Sequence, residues 1–87
     1  MDRGGRNPSN YTSLASCFIH AKSYDKAEEA VTKALEIDPG FAPAIGTLGL
    51  IMKKIGNVQK ARSLLKQAIK IDPSLNFAQE ALESLGK

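Results

Sequence analysis

The sequence predicts an all-α fold: an α-α superhelix (solenoid) of two helical hairpins plus one capping helix. Three observations predict it. Apolar residues recur at the three- and four-residue spacing of helices along most of the chain. Two such stretches end alike, in "ALEIDPGFA" (Ala34 to Ala42) and "AIKIDPSLN" (Ala68 to Asn76), with Pro39 and Pro73 lying 34 residues apart. Finally, a 34-residue shift pairs Tyr11 with Ile45, Leu14 with Leu48, Ala15 with Gly49, Phe18 with Met52, Ala27 with Ala61, Val31 with Leu65 and Leu35 with Ile69.

Each element has a local reason. Residues 1–7, with two glycines and no periodicity, read as a flexible lead-in, and 8–87 as the repeat domain. Repeat 1 is expected over 8–41, repeat 2 over 42–75 and the capping helix over 76–85. The first helix begins near Pro8 and lines Tyr11, Leu14, Ala15, Phe18 and Ile19 on one face. "KSYD" (Lys22 to Asp25) interrupts it, and Ser23 is suited to cap the second helix by accepting an orphan N–H. That helix carries an apolar stripe of Ala27, Ala30, Val31, Ala34, Leu35 and Ile37. Pro39 disfavours the α conformation at Asp38 and has no N–H to donate, so the helix stops there.

Pro43 fits the first turn of the third helix, where a missing N–H has no partner to lose. Ile45, Leu48, Gly49, Met52 and Ile55 continue its face until Gly56, suited to a left-handed cap, and Asn57, suited to cap the next helix. The fourth helix carries an apolar stripe of Val58, Ala61, Leu64, Leu65, Ala68, Ile69 and Ile71, and stops at Asp72 and Pro73. The fifth, Asn76 to Leu85, sets Phe77, Ala78, Ala81, Leu82 and Leu85 against Gln79, Glu80 and Glu83.

Composition narrows the function. At 87 residues, 43% hydrophobic and 24% charged, the chain suits one small globular or helical-repeat domain and is too apolar for a disordered tail. It has neither a bilayer-length apolar run nor a secretory leader, and reads as soluble, intracellular and cytoplasmic. Cys17 and His20 are single residues of their kinds, which leaves no internal disulfide and no zinc-ligand set. Cys17 is expected as a small buried or half-buried residue, His20 in a surface or packing role. No phosphate loop or catalytic dyad is present, so no enzyme, cofactor or metal is expected. The net charge of +3 is uneven. The fourth helix carries Lys60, Arg62, Lys66 and Lys70 without an acid, whereas the second carries Asp25, Glu28, Glu29 and Glu36 against Lys26 and Lys33.

The repeat resembles the tetratricopeptide repeat family, whose 34-residue pattern is W-x2-L-G-x2-Y…A-x3-F…P. Here it reads Tyr11-x2-Leu14-Ala15-x2-Phe18…Ala27-x3-Val31…Pro39, then Ile45-x2-Leu48-Gly49-x2-Met52…Ala61-x3-Leu65…Pro73. Small residues at Ala15, Ala27, Gly49 and Ala61 let paired helices approach closely, and Ala34 and Ala68 are expected to do so for the helix that follows. The fifth helix departs from the pattern, with Gln79 at the aromatic position and Glu83 at the small one, as in the solvating end helix of such arrays. The first helix lacks a matching cover, so its open face either continues a longer array or meets another molecule.

The resemblance implies a protein-interaction scaffold that receives a partner peptide or helix in a concave groove lined by the first helix of each hairpin. Carried over residue by residue, the candidates are Thr12, Ser16, Ile19 and His20 on the first helix, and Gly46, Thr47, Leu50, Lys53 and Lys54 on the third. Glu80 and Ser84 on the fifth complete the set; plain solvent exposure is the alternative at each. Gly46 costs its helix about 1 kcal/mol relative to alanine, which either a close partner backbone or a tolerant position would explain. One subclass of the family grips the terminal carboxylates of chaperone tails through basic and amide side chains. The matching positions here are Thr12, Ser16, Thr47, Phe77 and Ala81, none able to supply charge-assisted bonds, which argues against that clamp. Whether Phe77 packs on the fourth helix or faces the groove stays open. Two other classes also stay open: RNA binding through the basic fourth helix, weakened by the absence of accompanying aromatics, and self-association through the uncovered first helix.

Overall fold

The computed structural model describes residues 7–86. Five helices and no strand occur among them: α1 Pro8–His20, α2 Tyr24–Ile37, α3 Ala42–Lys54, α4 Val58–Ile71 and α5 Asn76–Leu85. Of the lead-in expected over 1–7, all but Asn7 lies outside the described residues, as does Lys87. Asn7 is the N-cap of α1: its side chain accepts the Ser9 N–H at 2.7 Å, and Pro8 follows in the first turn. Asn57 caps α4 in the same way, accepting from the Lys60 N–H at 3.4 Å. Ser23 occupies the N-cap of α2, but its hydroxyl makes no capping bond.

The two hairpin turns are equivalent, although their residues differ. Gly56 takes φ +96°, and 34 positions earlier Lys22 takes φ +63°. Each is followed by a 2.8 Å bond closing the helix end, Ser23 N–H to the Phe18 carbonyl and Asn57 N–H to the Met52 carbonyl. A lysine in the left-handed region is disfavoured by about 1 kcal/mol, so the turn is imposed by the packing of the helices it joins. Asp38 and Asp72 leave α2 and α4 in extended conformation, each donating its last N–H to an alanine carbonyl one turn back, Ala34 and Ala68.

α1 packs on α2 and α3 on α4 as the two hairpins, and α3 touches all four other helices. α1, α3 and α5 follow one another along one side, with α2 and α4 filling the other. The result measures 45 × 26 × 17 Å. Position in the stack decides burial. α3 buries Ala42, Ala44, Ile45, Gly46, Thr47, Gly49, Ile51 and Met52, whereas α1 buries only Ala15 and Ile19.

The close approach expected at the small residues is present. A Cβ on Gly49 would lie 2.9 Å from Leu65 Cγ and 3.3 Å from the Ala61 carbonyl oxygen, while Ala15 and Ala27 are wholly buried. Ala68, expected to serve the following helix, lies beside Gly46 of its own hairpin partner α3. Several stripe residues stand on the rim. Leu14 is 45% exposed because no other described element covers the outer side of α1, and Ile37, Ile55, Val58 and Ile71 are exposed near helix ends. Cys17 is exposed on α1, not buried or half-buried as the sequence suggested.

Candidate functional site

One cavity draws residues from three helices. Thr12, Ser13 and Ser16 of α1, Pro43, Thr47 and Leu50 of α3, and Phe77 of α5 enclose about 370 Å³. The stacking of α1, α3 and α5 brings together residues far apart in sequence, and among the described residues no ionisable side chain lines the cavity. A larger hollow of about 420 Å³, lined by Asp25, Lys26, Glu28, Glu29 and Thr32, is formed by α2 alone and gathers no groups from neighbouring helices.

Two threonines set the hydrogen-bonding character of the cavity. The Thr12 hydroxyl donates to the Pro8 carbonyl at 2.7 Å, and the Thr47 hydroxyl donates to the Pro43 carbonyl at 2.7 Å. In both cases the proline lies one turn earlier, and the threonine hydroxyl bonds back to its carbonyl in the i to i−4 pattern common for Ser and Thr in helices. With their hydrogens so committed, both oxygens turn lone pairs to the cavity.

Phe77 forms the α5 wall. It stands at the start of that helix, 37% exposed, with its ring against α3: a Cβ on Gly46 would sit 2.9 Å from Phe77 Cζ and 3.2 Å from Cε1. Gly46 is therefore explained within the chain, since the ring occupies the space its side chain would take, and no partner backbone is needed there.

Of the residues expected in the groove, the structure gathers Thr12, Ser16, Thr47 and Leu50. Gly46 lies buried beneath Phe77. Ile19 is only 8% exposed and belongs to the core. His20 is exposed, with Nδ1 2.9 Å from the Ser16 carbonyl; that bond requires the proton on Nδ1. Lys53 is half-buried, and Lys54, Glu80 and Ser84 are exposed; none of the four lines the cavity. Ser13 and Pro43 were not anticipated, although Pro43 sits one helical turn before Thr47 and Ser13 adjoins Thr12. Among the carboxylate-clamp positions, Thr12, Ser16, Thr47 and Phe77 share this cavity, and Ala81 is buried.

The basic side chains of α4 lie away from it. Lys60, Lys66 and Lys70 are exposed, and the Arg62 guanidinium donates to the Leu85 carbonyl at the end of α5 at 3.1 Å. Among the described residues, no group of three or more His, Cys, Asp or Glu side chains could hold a metal ion, and no helix is long and apolar enough to cross a membrane.

Comparison with known proteins gives a consistent result. A family profile described as tetratricopeptide repeat matches residues 18–85. The chain is 32% identical over 72 residues to human FK506-binding protein-like, covering 83% of this chain and 21% of that protein. It is 24% identical over 75 residues to heat shock protein STI1 of Saccharomyces cerevisiae, covering 86% and 13%. The chain thus spans about a fifth or less of the length of these curated relatives. Among solved structures it is similar to the first TPR of Spaghetti (RPAP3) bound to the HSP90 peptide SRMEEVD, with TM-score 0.83, 18% identity and coverage of 95% and 66%. The Arabidopsis OM64 TPR domain gives TM-score 0.82 at 24% identity, covering 94% and 68%. The second TPR domain of human RPAP3, in complex with the HSP70 peptide SGPTIEEVD, gives 0.83 at 20%, covering 95% and 69%.

Proposed function

We propose, from the premise that this chain belongs to the tetratricopeptide repeat family, that it is a non-catalytic scaffold whose α1, α3 and α5 side receives a segment of a partner polypeptide. One observation carries this reading: three helices from successive units converge on a cavity of about 370 Å³, partly apolar and partly hydroxyl-lined. The similar RPAP3 domains, which hold short peptides, add support. We assign residues 8–41 and 42–75 as the two repeats and 76–85 as the capping helix. Thr12, Ser16, Thr47 and Leu50 form the receiving surface, with Ser13, Pro43 and Phe77 added to it. The exposed free thiol of Cys17 favours a reducing compartment and hence work in the cytoplasm. RNA binding through α4 is the weaker reading, because Arg62 is engaged with Leu85 and no aromatic side chain on α4 could stack a base.

The test is selection from a displayed random-peptide library, followed by titration of the selected peptides against Leu50→Glu and Lys54→Glu variants whose helicity is checked by circular dichroism. A charge at residue 50 should abolish binding, while residue 54, outside the cavity, should tolerate one. Equal affinity for both variants would place the receiving surface elsewhere.

A further inference from the structure

Resting on that reading of the α1, α3 and α5 surface, we infer that its cavity takes an uncharged apolar side chain from the interior of a partner peptide. The partner's backbone N–H groups donate to Thr12 Oγ1 and Thr47 Oγ1, and a free terminal carboxylate is rejected.

The hydrogen-bond inventory gives the sign. Both threonine hydroxyls donate to proline carbonyls at 2.7 Å, and in that arrangement each oxygen turns lone pairs to the cavity. A carboxylate only accepts, and lone pairs facing lone pairs repel. The remaining hydroxyls, Ser13 and Ser16, are neutral donors, and among the described residues no lysine, arginine or histidine lines the cavity. A carboxylate entering it would give up water without a charge-assisted partner in exchange. An extended peptide interior offers what the threonine oxygens lack, an N–H at every residue except proline.

Shape and polarity select the side chain. Pro43, Leu50 and Phe77 supply the apolar walls, and about 370 Å³ accommodates one large aliphatic or aromatic group. The missing side chain at Gly46 leaves the space in which the Phe77 ring lies against α3. Among the described residues the charged side chains lie outside the cavity lining, so that lining offers an acidic peptide tail no direct ion pair.

The experiment uses a positional-scanning library of acetylated nonapeptides, synthesised once as C-terminal amides and once as free acids and titrated by fluorescence polarisation. Binding should select Leu, Met or Phe at one internal position, be unaffected by amidation, and change less than about twofold between 50 and 500 mM salt. Thr12→Val and Thr47→Val preserve side-chain shape and remove the acceptors. Together they should weaken binding about tenfold, while Phe77→Ala should erase the preference for a large apolar side chain. Free acids binding tenfold more tightly than amides, with steep salt dependence, would overturn the inference but leave the surface as a peptide site. Absence of binding by either library would overturn the peptide-site reading itself.

Discussion

Two glycines on one helix, three residues apart, are small for different reasons, and their substitutions should separate. Gly49 faces the fully buried Leu65, whose branch atom Cγ would lie 2.9 Å from an added Cβ, with the Ala61 carbonyl oxygen at 3.3 Å. Neither can withdraw, since one belongs to a buried side chain and the other to a helix backbone. Overpacking of this kind costs about 1 to 3 kcal/mol, against the roughly 1 kcal/mol that alanine gains over glycine in a helix. Gly49→Ala should therefore cost up to about 2 kcal/mol net, seen as a lower urea midpoint at unchanged m-value. Gly46 faces the tip of a partly exposed ring that can swing outward. Gly46→Ala should leave the midpoint unchanged or higher, while the Phe77 ring resonances shift as the aromatic wall of the cavity moves. Matching losses for the two variants would mean that Phe77 is as firmly fixed as Leu65.

The same contrast between equivalent positions appears at the helix stops. Asp38 and Asp72 both end a helix before proline, yet their side chains are held differently. Asp38 Oδ1 accepts one N–H, from Gly40 at 3.1 Å, whereas Asp72 Oδ1 accepts the Ser74 N–H at 3.1 Å and the Ser74 hydroxyl at 2.7 Å. Chiefly through that hydroxyl, and then through the backbone bond, Ser74 holds the Asp72 carboxyl below the usual carboxylate value of 3.8. A carboxyl whose pKa is depressed on folding stabilises the native state above the unfolded value, and the contribution disappears as pH falls through the lowered one. Ser74→Ala removes the larger cause, so Asp72 should titrate at higher pH in that variant. The stability difference from wild type should be present at neutral pH and should close as pH falls through the lowered Asp72 value. An NMR titration of the Asp72 carboxyl carbon reads this directly, and an unshifted midpoint in Ser74→Ala would show that the hydroxyl does not hold the charge.

Across the whole molecule, what was legible in the sequence is what a repeat states twice. The five helices, their proline stops and the small residues between paired helices each follow from local chemistry that recurs after 34 positions. Contacts between units are stated only once, so the role of Phe77 over Gly46 and the membership of Ser13 and Pro43 in the cavity depended on how successive units stack. Exposure along the stack was hidden for the same reason: Leu14 and Leu48 occupy one repeat position, but α3 has neighbours on both sides and α1 has one. Leu48 is half-buried against the core, while Leu14 is 45% exposed. Placing a glutamate at each measures whether the outer side of α1 is open in solution. Leu48→Glu forces a charge against apolar neighbours and should cost at least about 2 kcal/mol, whereas Leu14→Glu meets water and should stay within about 1 kcal/mol. Both are read from urea unfolding at several protein concentrations. Comparable losses, or a Leu14→Glu loss that grows with concentration, would show that α1 is covered by a second copy of the chain and that self-association completes the stack.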